Sequence, residues 1–194
     1  MNILKSLAST DNKYSYHYDD PLCFYKVQNS ICQMIDDLDK NYYREIVYVC
    51  IGTDRATGDC LGPLVGTRIE TLLPKVSVFG TLEKPTHALN LNEVLDEVNS
   101  KHNQPLVIAI DASLGSKERI GYINIKKGSL KPGTALNKTL PEVGDCNISG
   151  VVNVGGFLEQ MVLQNTRLHI VYKMANVISR GIFLAHNRIY SANN

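Results

Sequence analysis

The chain has 194 residues, 44% of them hydrophobic, with 20 basic and 19 acidic side chains and a net charge of +1. That length and apolar fraction suit one domain with a buried core, and the near-zero charge excludes capture of nucleic acid or another polyanion by bulk electrostatics. No apolar run is long enough to cross a membrane, none reads as a secretory signal, and the five cysteines form no C-x-x-C pair, so a reduced cytoplasmic compartment without a zinc framework is expected.

Residues 1–22 read as a flexible N-terminal arm ending at Pro21, and residues 23–194 as a single domain. From Cys23 to Lys40 the apolar positions Phe24, Val27, Ile31, Ile35 and Leu38 recur at helical spacing, which predicts an amphipathic helix. Ile46 to Ile51 is β-branched and apolar, the pattern of a strand. It ends at Gly52, and a polar loop leads to Gly58-Asp59. A second helix follows, with Leu61, Leu64, Val65, Ile69, Leu72 and Leu73 on one face, and stops before Pro74. Val76 to Leu82 reads as a strand. The loop Glu83 to Leu89 holds Pro85, Thr86 and His87, and Asn90 with Glu93 three residues on marks the start of another helix.

Leu106 to Ile110 is an almost unbroken apolar run, as in a strand buried on both faces, and it ends in Asp111. This βαβαβ order predicts a parallel central sheet with helices on both sides. Ile120 to Lys126 alternates like an antiparallel or edge strand, and a turn is expected at Lys131 to Thr134. Residues 134–150 read as a long loop or hairpin, Val154 to Gln164 as a helix, and Leu168 to Tyr172 as a short strand. A last helix carries Met174, Val177, Ile178, Ile182, Ala185 and Ile189 on one stripe.

Two carboxylates stand out. Asp59 and Asp111 both fall at the carboxyl ends of predicted strands, where open α/β sheets bind ligands. If those strands are neighbours, the two side chains enter one crevice, and two close carboxylates can share a proton. Such a pair can activate water and protonate a carbonyl. The plainer alternatives are that Asp59 caps its helix and Asp111 bonds to loop backbone. Asp54 and Arg55 sit in the same loop, as solvated turn residues or an ion pair, with Asp54 equally open to a role in the site. His87 lies in the loop after the second strand. It could join Asp59 and Asp111 as a metal ligand, although no ligand spacing such as H-x-x-x-H supports that.

The loop lacks both G-x-G-x-x-G and G-K-[ST], and Asp59 at the helix start would repel phosphate, which argues against a nucleotide enzyme. Ser113 and Ser149 occur near the proposed crevice without a G-x-S-x-G elbow. Cys60 falls within the apolar pattern of its helix, as a buried structural thiol would.

The segment IGTDRATGDCLGP, the strand LVIAIDAS, PTHALNL (Pro85 to Leu91) and ISGVVNVGG (Ile148 to Gly156) together resemble sporulation proteins of the YyaC type. Those proteins are related to the germination (spore) protease and more distantly to hydrogenase maturation proteases. The likeness runs from about Ile46 to the C-terminus, and the G-D-x-L-G-P signature is fairly specific to this group. It implies a phosphorylase/hydrolase-like fold, a three-layer α/β/α sandwich with a mostly parallel mixed sheet. It also implies a peptidase in which Asp59 and Asp111 are the catalytic carboxylates, acting on small acid-soluble spore proteins in the sporulating cell or forespore. Hydrogenase maturation enzymes use the same two places and a later histidine for a nickel-related metal. This chain has no histidine soon after Asp111, so the resemblance favours carboxylates that need no metal; a divalent ion at Asp59, Asp111 and His87 is the rival.

The full expectation is a cytoplasmic peptidase with Asp59 and Asp111 as catalytic residues and Thr53, Asp54, His87, Ser113 and Ser149 binding substrate. The loops Thr53 to Gly58, Glu83 to Asn90 and Asp145 to Val152 would form its walls. No cofactor, nucleic acid or membrane is expected; a protein or peptide substrate is, and self-association is compatible. The remaining alternatives are a peptide-binding protein without turnover and a small-molecule amidase.

Overall fold

A computed structural model describes residues 13–42, 44–132 and 140–191. Strands β1 (Lys13–His17), β2 (Ile46–Cys50), β3 (Ser77–Phe79), β4 (Leu106–Gly115), β5 (Tyr122–Lys127) and β6 (Cys146–Val154) form one sheet in the order β1-β5-β6-β4-β2-β3. Helices α1 (Cys23–Leu38), α2 (Leu61–Leu72), α3 (Leu91–Lys101), α4 (Glu159–Gln164) and α5 (Leu168–Ser191) complete the described elements, with a 3₁₀ turn at Lys117–Arg119. β3, β2, β4 and β6 are parallel; β5 runs against β6, and β1 against β5. No described helix is long and apolar enough to cross a membrane.

The fold is the expected α/β sandwich with a mostly parallel mixed sheet. The larger core lies under α1, α2 and α5, where Ile108, Ile110, Ile123, Ile125 and Ile148 meet Leu61, Val65, Met174 and Ile178. On the opposite face, Leu91 and Val98 of α3 cover Val47, Val49 and Ala109. Each fully buried aliphatic side chain adds about 1.5–3 kcal/mol by leaving water. The alternation of residues between these faces fixes the register of the sheet.

This layering places a switch point. Beyond β2 the chain crosses by α2 to β3 on one side, then returns by α3 over the other face to β4 on the far side of β2. The β2 and β4 carboxyl ends therefore part in opposite directions, leaving a crevice between them.

Several elements differ from expectation. Residues 13–17, read as part of a flexible arm, form the edge strand β1, with Tyr14 and Tyr16 packed on the large core and the Tyr16 hydroxyl 2.9 Å from Ser30 Oγ. β5 is consequently an inner strand. Leu168 to Tyr172 is the first turn of α5 rather than a strand: Val171 belongs to the stripe that continues through Met174, Ala175, Ile178, Ile182, Ala185 and Ile189. A short apolar run has no periodicity of its own to separate strand from buried helix.

Residues 146–154, read as loop and helix start, are the strand β6, buried between β4 and β5. The predicted helix from Val154 begins only at Glu159, because Gly156 (φ 139°) and Leu158 (φ 58°) break the chain direction first. β4 continues five residues past the expected end at Ile110. Residues 1–12 of the arm and 133–139 of the predicted turn and loop lie outside the described residues.

Candidate active site

The crevice is a cavity of about 590 Å³. Asp111 sits inside β4 at the point where β2 leaves the sheet: the last β2 contacts are Cys50 opposite Ile110 and the Ile51 N–H to Ile110 carbonyl bond of 2.7 Å. Gly52 then turns the chain away at φ 141°, with its N–H on the Thr86 carbonyl at 2.8 Å. A Cβ on Gly52 would lie 1.9 Å from the Asp59 carbonyl oxygen, so only glycine lets the two ends of this loop close. Gly62 does the same for the helix. Its missing Cβ allows the α2 backbone to press on the Ile51 carbonyl, where a methyl would stand at 2.1 Å. Gly58 fits beside Thr166 and Leu163 in the segment running into α5, and its N–H reaches the Leu163 carbonyl at 2.8 Å. The spacing of G-D-x-L-G-P is thus a set of backbone contacts that present Asp59.

Asp59 is not the helix cap. Cys60 holds the N-cap position of α2 without a side-chain cap bond, and the Asp59 carboxylate accepts the Thr53 N–H instead. Burial pushes the Asp59 carboxyl above its ordinary range, while the Thr53 N–H and the nearby His87 pull it back. Asp111 is buried and rises well above that range, first by loss of water and then by the Asp59 charge, against a restoring bond from the Ala112 N–H. The two carboxylates therefore sense one another in a half-dry site, with Asp111 the one that keeps its proton longer.

Asp59, Asp111, Thr53, His87, Ser113 and Ser149 all line this cavity. Asp54 does not: it is exposed on the loop and stands near Cys60. Arg55 contributes to the rim. His87 is anchored by its own N–H to Asn90 Oδ1 (2.8 Å), and its Nδ1 accepts the Leu89 N–H at 3.3 Å. Among the described residues, no group of three His, Cys, Asp or Glu side chains is placed to hold a metal ion. Cys60 is buried, as expected of a structural thiol, and burial together with Asp54 and Asp59 raises it.

The loops Thr53 to Gly58 and Glu83 to Asn90 supply walls, but the third wall is strand: Asn147, Ser149 and Val151 point in from β6. Two elements were not anticipated. β5 adds Asn124 and Lys126, and α4 adds Glu159, Gln160 and Gln164. The polar members of the alternating run Tyr122 to Lys127 were the available signal for the first; nothing in α4 distinguishes its polar face from an ordinary solvated one.

A family model described as "Protein of unknown function (DUF1256)" matches residues 15–181. The chain belongs to the DUF1256 family. It is 51% identical over 142 residues to the "Uncharacterized protein YyaC" of Bacillus subtilis (strain 168), covering 73% of this chain and 69% of that protein, so the YyaC resemblance stands. Among solved structures, the [NiFe] hydrogenase maturation protease HycI from Thermococcus kodakarensis KOD1 superposes with a TM-score of 0.53 at 17% identity, over 81% of this chain and 99% of that one. At that identity the likeness is one of fold: this DUF1256 chain shares the α/β architecture of a maturation protease.

Proposed function

We propose that this chain is a peptidase-like hydrolase in which Asp59 and Asp111 divide acid and base roles at one water molecule. The observation that carries the reading is the opening of both carboxylates into one cavity at the switch point, where burial and mutual repulsion separate their titrations. Asp59, held toward ionisation by the Thr53 N–H and His87, takes a proton from water. The water oxygen attacks the peptide carbonyl carbon while the protonated Asp111 donates a hydrogen bond to the carbonyl oxygen. When the C–N bond breaks, the proton on Asp59 passes to the leaving nitrogen, and both groups return to their starting states. The α/β architecture shared with a maturation protease supports the reaction class. The motif resemblance supports small acid-soluble spore proteins as substrates, in the sporulating cell or forespore.

The test incubates the purified chain with small acid-soluble spore proteins and follows fragments by mass spectrometry. Asp59→Asn and Asp111→Asn should each lower turnover by at least about a hundredfold, the usual size of an acid–base contribution. Retention of full rate by either variant would overturn its assigned role, and tight binding without any cleavage would favour a peptide-binding protein instead.

A further inference from the structure

A polar row runs across the sheet from Asp111. In register, Asp111 on β4 faces Ser149 on β6, Ser149 faces Asn124 on β5, and Asn124 faces Ser15 on β1. The core-facing neighbours Ile110, Ile148, Ile123 and Ile125 point the other way, so the row lies on the cavity side. Ser149 and Asn124 are only 7% and 8% exposed, a costly setting for polar groups without partners. Yet among the described residues neither Ser149 Oγ nor Asn124 Nδ2 makes a hydrogen bond, and neither atom is sealed from the cavity.

The orientation of the Asn124 amide is determined by its surroundings. Its Oδ1 accepts the Ser15 hydroxyl at 2.7 Å and the Arg119 guanidinium at 3.2 Å. A guanidinium can only donate, so the oxygen must face Arg119 and the NH₂ must face away. Arg119 is itself held over the Tyr122 ring, 3.9 Å from its centroid, and donates to Ser15 Oγ. Ser15 and Arg119 are thus positioning residues for a donor they aim but do not share.

We infer that Ser149 and Asn124 form a subsite for the main chain of a polypeptide, with Asn124 Nδ2 donating to a backbone carbonyl away from the reacting bond. Strands stand about 4.8 Å apart, so Asn124 lies about 10 Å along the row from Asp111, and an extended peptide covers that in about three residues. This subsite rests on the peptidase reading for its substrate class, but its test does not require cleavage.

N-acetyl-trialanine methylamide titrated into ¹⁵N-labelled protein should shift the Asn124 side-chain NH₂ resonances in a saturable way. Asn124→Asp keeps an oxygen for Ser15 and Arg119 while replacing the cavity-facing donor with an acceptor. It should weaken binding, followed on the Ser149 and Ser113 amides, by at least about tenfold. Ser15→Ala, which removes one of the two donors that hold the amide oxygen, should weaken binding by a smaller factor and would carry the comparison if Asn124→Asp did not fold. Shifts that leave the Asn124 NH₂ untouched, or no binding at all, would overturn the subsite. Binding through Asn124 with no cleavage of any peptide would instead overturn the hydrolase reading and leave the subsite standing.

Discussion

Asp111 has a consequence for stability as well as chemistry. Its carboxyl titrates higher folded than unfolded, so between those two values the native chain holds a proton that the unfolded chain has lost. Stability therefore falls as pH rises through that window and is greatest below it. Asp111→Asn removes the ionisable group, and its thermal midpoint should match wild type near pH 4 and exceed it at pH 7. A variant less stable than wild type at pH 7 would mean that the ionised carboxylate is well compensated. Turnover should show the same pair as a bell: the acid limb marks protonation of Asp59, displaced upward from ordinary carboxylates, and the alkaline limb marks ionisation of Asp111. Asp59→Asn should abolish the acid limb in whatever rate remains.

At the scale of elements, α2 depends on the side chain that Gly62 lacks. Gly62→Ala drives a methyl into the Ile51 carbonyl, and backbone cannot step aside as a side chain can, so a loss of about 1–3 kcal/mol is expected in urea unfolding. Gly150→Ala meets the ends of Leu61 and Met174, which are flexible, and should cost less. The same distinction explains what could be read from the amino-acid order. β2, α2, α3 and α5 announce themselves by strong periodic faces, and Asp59 and Asp111 by falling at the ends of such runs. β6 was hidden because Asn147, Ser149, Gly150 and Asn153 are poor strand formers; two of them line the cavity, and Gly150 admits Leu61. β1 was hidden because five residues of alternation, with tyrosines on one side, carry little weight beside a polar N-terminus. Asn124 looked like any outward-facing residue until its neighbours on β1 and the 3₁₀ turn were known.

Across the whole molecule, the parallel strands are drawn together at the end away from the site. Arg44 donates to the Gln104 and Pro105 carbonyls at 3.0 and 2.6 Å and to Asp145 at 2.9 Å, and Asp145 Oδ2 also takes the Val107 N–H at 2.9 Å. One half-buried cation thereby ties the starts of β2, β4 and β6. Arg44→Ala should lower stability by about 1–3 kcal/mol in urea unfolding while leaving the far-ultraviolet spectrum unchanged, since it strands the Asp145 carboxylate and two carbonyls. Long-range pairings of this kind leave no trace in local periodicity, so the strand order is not legible in the sequence. The five cysteines, finally, are all free and all buried, with Cys23 pushed up to about 11 and Cys146 to about 12 by desolvation. A native molecule should thus ignore an alkylating reagent that the denatured one consumes five times over. The protein carries a built-in clock for its own opening: mass added per molecule in iodoacetamide, sampled over hours, would report how often the larger core, which holds Cys23, Cys32, Cys50 and Cys146, breathes.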